Sequence, residues 1–278
     1  AKDAEDAIRK SPTSRLIILG APGAGKSTML RYLVVRAAQQ ARANASDRIP
    51  IYIYLPYLQP SQAIQGYLPI LLDNLGIDIN YARVLWEEIE QGRALICLDG
   101  LDEVPADQRK AIIAWVNSKS SDEGNVWIVG SRFSQYKTGQ FRRGLFSTWE
   151  LQPLTAELRQ ALAKQLLTEL DEQIHGPTDA PGSDPSSFLH ALEKHPQAST
   201  WGRNPLLFSL AAIVFAYYGT LPASRATLYQ QVIDAVLETR QIDPIRRTMI
   251  REVISSLALE FYQQKRRTFT RDDLLGLL

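Results

Sequence analysis

The stretch LIILGAPGAGKST, residues 16–28, decides the fold class of this chain. Four apolar residues at its start predict a buried parallel strand, a glycine-rich loop follows, and residues 29–41 have the pattern of a helix. A strand, a G-x-x-x-x-G-K-S loop and a helix in this order are typical of a phosphate-binding loop. Gly23 and Gly25 allow the backbone to curl, so that successive N–H groups can face phosphate oxygens. A chance match in a glycine-rich turn is not expected to have both flanking elements.

The residue types of this loop predict how it would bind a nucleotide. Lys26 is expected to reach the β- and γ-phosphates, and the Ser27 hydroxyl is expected to bind Mg²⁺. The amino end of the following helix contributes its positive dipole. We therefore predict that the nucleotide is contacted here by Gly20, Ala21, Pro22, Gly23, Ala24, Gly25, Lys26, Ser27 and Thr28.

Composition and charge limit the classes of protein to consider. The 278 residues are 45% hydrophobic and 22% charged, as in an ordinary globular protein, and a formal net charge of +1 provides no bulk attraction to nucleic acid or an anionic membrane. The single cysteine, Cys97, excludes an internal disulfide, and its apolar neighbours predict a place in the core. The longest apolar stretch, residues 205–218, is too short to span a bilayer. Because no signal-peptide pattern is found at its start, the chain is expected to be cytoplasmic.

Predicted strands and helices alternate over the first half of the chain. Besides residues 16–19, apolar and β-branched runs predict strands at residues 49–55, 93–98, 125–130 and 148–151. Helices are predicted between them, at residues 67–75, 82–91 and 107–118. This alternation predicts a three-layer α/β domain with a mainly parallel sheet. From Leu154 onward the pattern is helical, and the predicted helices include residues 205–218, 226–240 and 245–264.

Charged side chains follow the ends of the third and fourth predicted strands. Asp99, Asp102 and Glu103 come directly after the third, and Arg132 comes after the fourth. Ligands of such sheets lie beyond the carboxyl ends of the strands, so Lys26, Asp99 and Arg132 are expected to converge on one crevice. Asp99 is placed to hold Mg²⁺, directly or through water.

The two acids after Asp99 have two interpretations. A carboxylate one turn beyond the metal ligand could polarise an attacking water, and we favour Glu103 as this base, with Asp102 as a metal-shell or structural acid. Alternatively, Asp102 and Glu103 only cap the helix that follows them.

The run LDGLDE, residues 98–103, resembles the doubled-acid Walker B motif of NACHT domains. These are signal-transduction ATPases of the STAND class of P-loop NTPases, related to the AAA+ group. The resemblance covers nearly the whole chain, and its further matching segments are residues 131–132, 151–155, 204–207, 221–229 and 269–274. Two departures are noted: Phe133 stands where many relatives have proline, and the winged-helix histidine of the family would lie beyond Leu278.

The resemblance assigns roles to two more residues. It implies that Arg132 is a sensor that reads the γ-phosphate, although a surface arginine that caps a strand end is the alternative interpretation. It also implies that Pro205 packs near the adenine, although this proline fits the first turn of a helix equally well. The preference for adenine over guanine depends on the resemblance alone.

The resemblance also implies an organisation and a function. It implies a nucleotide-binding α/β domain at residues 1–152, a helical domain at 153–242 and the start of a winged-helix domain at 243–278. Such a module binds Mg-ATP and ADP and hydrolyses ATP slowly; ADP holds a closed monomer, and ATP opens the hinge between the domains. The full-length protein would self-associate on activation, and bacterial members often act in defence against phage. We expect this chain to be a segment of a longer protein and to be monomeric by itself.

Two other classes of function remain alternatives. The first is an AAA+-like ATPase motor or loader that remodels nucleic acid or protein, although the near-neutral charge argues against a loader that grips DNA. The second is a P-loop kinase with a small-molecule acceptor. A kinase usually needs an arginine-rich mobile lid, for which Arg142 and Arg143 are the only candidates.

Overall fold

The computed structural model describes residue 8 and residues 13–43, 48–58, 64–120, 124–142, 144–175, 184–240 and 242–264. The chain divides into two compact units, Ala1–Gln152 and Pro153–Leu278. The predicted opening of a winged-helix domain at residues 269–274 lies outside the described residues. The three-domain division therefore stays a prediction.

The first unit contains a five-stranded sheet in which every neighbouring pair is parallel. Its strand order is β2-β3-β4-β1-β5. The strands are β1 (Arg15–Leu19), β2 (Ile49–Tyr54), β3 (Ala94–Asp99), β4 (Val126–Ser131) and β5 (Ser147–Glu150). The predicted α/β fold with a parallel sheet is confirmed.

Four helices connect these strands: α1 (Lys26–Ala43), α2 (Ile64–Asn74), α3 (Tyr81–Glu90) and α4 (Ala106–Lys119). Alternate residues of each strand pack on opposite faces of the sheet, as the 2.0-residue strand period requires. One face is formed by Leu16, Ile18, Cys97 and Ile128, which pack with Leu30 and Leu33 of α1. The other face packs against Ile64 and Leu68 of α2 and against Ile112 and Val116 of α4. The strand residues of this contact are Ile17, Ile96, Leu98, Trp127 and Val129. Covering on both faces explains why β1, β3 and β4 are almost continuously apolar.

Cys97 lies in β3 between two other strands and is fully buried as a free thiol. Its predicted place in the core is confirmed. Burial raises the pKa of the Cys97 thiol well above its ordinary value, because the thiolate would lose its hydration there.

The strand order determines which strand ends are neighbours. Strand β4 lies between β1 and β3, with Leu19 opposite Ser131 and Leu98 opposite Val129. Adjacent strands are about 4.8 Å apart, so the segments that follow β1, β4 and β3 begin within about 10 Å of one another. The glycine loop, Arg132 and the three acids therefore emerge at one edge of the sheet.

The second unit is helical. Its helices are α5 (Ala156–His175), α6 (Pro185–Lys194), α7 (Ala198–Trp201), α8 (Pro205–Tyr218), α9 (Arg225–Thr239) and α10 (Pro244–Gln263). Seven residues of helix α8 are buried, including Phe208, whose ring meets the ring of Phe188 edge-on with 5.2 Å between the centroids. Pro205 occupies its first turn, and Oδ1 of Asn204 caps it by accepting from the Leu207 N–H at 3.1 Å. Of the helices that the structure describes, none has the length and apolar character to cross a membrane.

Candidate functional site

The glycine loop between β1 and α1 is a compact turn that needs two glycines. Gly23 and Gly25 have φ angles of 74° and 92°, which residues with a Cβ atom rarely adopt. The Ala24 N–H donates to the Ala21 carbonyl at 3.1 Å. Helix α1 begins at Lys26, so its positive amino end is part of the loop. This is the backbone arrangement that a phosphate group can use.

Lys26 folds back over this loop. Its Nζ donates to the carbonyls of Gly20 and Ala21 at 2.8 and 3.1 Å. Burial lowers the pKa of Lys26, while the charges of Asp102, Asp99 and Glu103 raise it and that of Arg132 lowers it further. These four side chains are therefore near enough to act on Lys26. The structure brings together the charged residues that the sequence placed at the ends of β1, β3 and β4.

Asp99 ends β3 and is only 2% exposed. Its Oδ2 accepts a hydrogen bond from the Tyr52 hydroxyl at 2.7 Å. Burial and this hydrogen bond raise the pKa of Tyr52 to about 12, so the tyrosine remains a donor. A Cβ placed on Gly130 would lie 3.0 Å from Oδ1 of Asp99 and 3.0 Å from a methyl group of Leu30. The absence of a side chain at Gly130 leaves the room that Asp99 occupies.

Gly100 turns the chain sharply after β3. Its φ angle is 78°, and a Cβ there would lie 2.9 Å from the ring of Tyr54, so both conformation and space require glycine. A short helical turn, Leu101–Glu103, follows at once. This turn presents the two acids in different environments.

Asp102 is turned inward and holds Arg132. Its side chain is 3% exposed; Oδ1 accepts from the Arg132 backbone N–H at 3.1 Å, and Oδ2 lies 2.8 Å from Nε of Arg132. The N-cap residue of α4 is Pro105, and α4 has no side-chain cap. The interpretation of Asp102 and Glu103 as caps of this helix is therefore wrong. Asp102 thus contacts both the backbone and the side chain of Arg132.

Glu103 is more exposed, at 27% of its side-chain area, but both its oxygens have partners. Oε1 lies 3.4 Å from Nη2 of Arg132, and Oε2 accepts a hydrogen bond from the Tyr54 hydroxyl. Burial, together with this hydrogen bond, raises the pKa of Tyr54 strongly. Arg132 itself is 37% exposed and bridges the two acids.

Tyr52 and Tyr54 were not predicted as site residues from the sequence. In the run IYIY of β2, the isoleucines pack into the core, and the tyrosines take the opposite face of the strand. Their hydroxyls reach Asp99 and Glu103 because β2 pairs with β3. The signal that could have identified them is the presence of two hydroxyl groups in a strand whose other residues are all apolar.

The donor atoms at this edge of the sheet fit Mg²⁺. Ser27 is exposed at the start of α1 and offers a hydroxyl oxygen, and Asp99 offers a carboxylate. Within the described ranges, no group of three or more His, Cys, Asp or Glu side chains could hold a metal by itself. Magnesium in phosphate sites takes one or two protein oxygens and completes its shell with phosphate and water, which agrees with this sparse donor set.

Comparison with known proteins places the site in a family context. The family model of the NACHT domain matches residues 14–170, which is more than half of the chain. No curated protein sequence matches the chain significantly. The predicted nucleotide contact of Pro205, which lies outside the matched range, depends on the resemblance alone.

Two solved structures are distantly similar. PCH-2 from C. elegans has a TM-score of 0.45 and 15% identity, with 84% of this chain and 64% of that chain covered. The Aeropyrum pernix ORC2 protein, in ADPNP-ADP complexes, has a TM-score of 0.42 and 14% identity, with 99% of this chain and 76% of that one covered. This chain thus spans less than two thirds of the PCH-2 structure. Both similarities are too distant to bear on function.

Proposed function

Because the chain belongs to the NACHT domain family of STAND-class P-loop NTPases, we propose that it is a Mg-ATP- and ADP-binding signalling switch with slow ATP hydrolysis. Nucleotide binding follows from the family; the switch and the slow rate are the proposal. The observation that carries it is the engagement of Glu103 by Tyr54 and Arg132. These two contacts fix the direction of the carboxylate and leave fewer of its lone pairs for a water molecule.

Nucleotide binding is assigned to the glycine loop. The backbone N–H groups of residues 20–28, other than Pro22, and the Lys26 ammonium would contact the phosphates, in place of the loop carbonyls that Lys26 contacts in this structure. Ser27 and Asp99 would hold Mg²⁺, which when bound would neutralise part of the phosphate charge. Tyr52 would keep the Asp99 carboxylate in place.

The difference between ATP and ADP is assigned to Arg132. The γ-phosphate of ATP is an anion that competes with Glu103 and Asp102 for the guanidinium, whereas ADP lacks it. When Arg132 turns to the γ-phosphate, Oε1 of Glu103 loses its partner and can accept a proton from an attacking water. A ligand shifts a two-state equilibrium only by its differential affinity, and Arg132 is a source of such a difference.

The resemblance supports the remaining parts of the proposal. We include self-association of a longer protein when ATP is bound, and a role of that protein in bacterial defence. The chain by itself is expected to be monomeric. We also propose that the chain does not bind nucleic acid directly. Its formal net charge of only +1 supports this.

The test compares the affinities of ATP and ADP, measured by calorimetry, in the wild-type chain and in Arg132→Ala. We expect wild type to discriminate between the two nucleotides and the variant to bind them alike. An unchanged ratio of affinities would remove Arg132 from the sensing role. The turnover number is measured in parallel. A value near 10 s⁻¹, the median of ordinary enzymes, would contradict a slow switch and favour the motor alternative.

A further inference from the structure

Arg109 joins the two turns that carry the charged residues of the site. It lies in the first turns of α4, where its backbone N–H donates to the Pro105 carbonyl at 2.8 Å. Its Nη2 donates to the backbone carbonyls of Asp102 and Val104 at 3.3 and 2.8 Å. Its Nη1 donates to the side-chain carbonyl of Gln135 at 2.7 Å. One guanidinium thus serves three acceptors on two separate segments.

The first segment is the acid turn, Leu101–Glu103, together with Val104 at its end, and the second is the sensor turn, Phe133–Gln135, which directly follows Arg132. In the sensor turn, the Gln135 N–H donates to the Arg132 carbonyl at 3.3 Å, so a restraint on Gln135 acts on Arg132. The acid turn is also linked to Arg132 by the side chains of Asp102 and Glu103. The contacts with the Arg132 guanidinium are lost when it reorients toward a γ-phosphate, whereas the hydrogen bonds of Arg109 do not involve that guanidinium.

We propose that Arg109 is a positioning residue for ATP turnover, because its guanidinium fixes the distance between the acid turn and the sensor turn. This inference rests on the proposed roles of Glu103 and Arg132. Helix α4 is a rigid support for it, since Ile112 and Val116 of this helix are buried in the core. Geometric errors of about 1 Å at a catalytic site typically lower the rate about a hundredfold. Loss of the fixed separation between the two turns should therefore lower the hydrolysis rate measurably.

The chemistry of the contact requires arginine. A planar guanidinium presents donors in a fixed fork and can serve acceptors on both sides, whereas the ammonium of lysine is a compact point charge. Arg109→Lys keeps the charge but loses the bridge. The glycine loop is not touched by Arg109 in the hydrogen bonds described, so nucleotide affinity and turnover should respond differently to its loss.

The experiment measures single-turnover hydrolysis at saturating Mg-ATP, ADP affinity by calorimetry and thermal unfolding. Arg109→Ala is expected to lower the hydrolysis rate about tenfold and to leave ADP affinity within twofold of wild type. Arg109→Lys should restore only part of the rate. Gln135→Ala removes one acceptor and should show part of the same loss. The double variant should be no slower than Arg109→Ala alone, as expected for two residues in one interaction.

The matched control is Lys110→Ala, which removes an exposed cation from the neighbouring position of α4 and should hydrolyse ATP at the wild-type rate. Three results would each overturn the inference: a wild-type rate for Arg109→Ala, an equal loss for Lys110→Ala, or full recovery by Arg109→Lys. If Arg109→Ala does not fold, Arg109→Lys and Gln135→Ala decide the question. If Arg132→Ala keeps the wild-type ratio of ATP and ADP affinities, the proposed role of Arg132 fails; if that ratio changes and the Arg109 and Gln135 variants hydrolyse ATP at the wild-type rate, only this inference fails.

Discussion

The Tyr54 hydroxyl on β2 donates a hydrogen bond to Oε2 of Glu103, the residue assigned as the base, and so occupies the oxygen that Arg132 does not contact. Tyr54→Phe removes the hydrogen bond and keeps the ring that packs beside Gly100. We expect single-turnover hydrolysis to become faster by about fivefold, the equivalent of about 1 kcal/mol for one hydrogen bond. ADP affinity should not change, because the glycine loop is intact.

Tyr57→Phe is the matched control for this variant. Tyr57 is exposed, its ring lies edge-on to Tyr54 at 5.1 Å, and the substitution should not alter the rate. If Tyr54→Phe is slower than wild type, the hydroxyl orients Glu103 for catalysis and does not restrain it.

Lys26→Ala is expected to abolish measurable nucleotide binding. The ammonium and the loop N–H groups act together on the phosphates, and the substitution also removes two hydrogen bonds that close the loop. Calorimetry with ADP and with ATP measures this. Lys110→Ala, on the exposed face of α4, is the control for loss of one positive charge. Wild-type affinity in Lys26→Ala would remove the glycine loop from the binding site.

Glu103→Gln should still bind Mg-ATP but hydrolyse it roughly 10²- to 10⁴-fold more slowly, the usual cost of losing a positioned base. The amide oxygen can still accept from Tyr54, so the fold of the turn should persist. Asp99→Asn should instead weaken the Mg²⁺-dependent part of ATP binding. A Glu103→Gln rate equal to wild type would mean that the base lies elsewhere, and Asp102 would be the next residue to test.

Gly130→Ala is expected to affect both stability and metal-dependent binding. The new methyl group would lie 3.0 Å from Oδ1 of Asp99 and from Leu30, which is tighter than ordinary van der Waals contact, so these neighbours would have to shift. Overpacking of this kind costs about 1–3 kcal/mol in the free energy of unfolding, which urea denaturation measures. ATP affinity in the presence of Mg²⁺ should fall more than ADP affinity in its absence. Equal losses for both would show that the substitution disturbs the whole sheet and not Asp99 in particular.

The chain is expected to be monomeric with ADP and with ATP. The resemblance implies that oligomer contacts of such proteins involve domains on both sides of this module. Light scattering with each nucleotide measures the mass directly. Assembly of this chain into a ring with ATP alone would contradict the switch and favour a motor.

The glycine loop, the parallel strands and the positions of the acids could be predicted because each depends on a local pattern. The G-x-x-x-x-G-K-S spacing and the alternation of strands and helices need no knowledge of distant residues. Element ends were less accurate: β3 ends at Asp99 and not at Leu98, and α1 begins at Lys26 and not at residue 29. The helix now described at Pro185–Lys194 was not predicted.

The partners of the acids could not be predicted, because they depend on which strands become neighbours. Tyr54 lies opposite Asp99 only in the register that β2 and β3 adopt. After the left-handed turn at Gly100, both carboxylates contact Arg132, but Asp102 is buried and Glu103 is partly exposed. Local spacing places both acids near the site but does not show which one is turned inward.

The rate at which the buried thiol of Cys97 is alkylated measures how often the chain unfolds around it. Only the thiolate reacts with alkylating reagents, and an inaccessible thiol with a raised pKa is protected while the sheet is closed. Labelling of this single cysteine therefore has to proceed through opening of β3, two residues from Asp99. A nucleotide that binds only the folded chain reduces the open fraction by the factor 1 + [L]/Kd, so ADP at a hundred times its Kd would slow alkylation by about a hundredfold. Nucleotide affinity can then be measured by mass spectrometry on the unmodified sequence, without a fluorophore or an introduced cysteine.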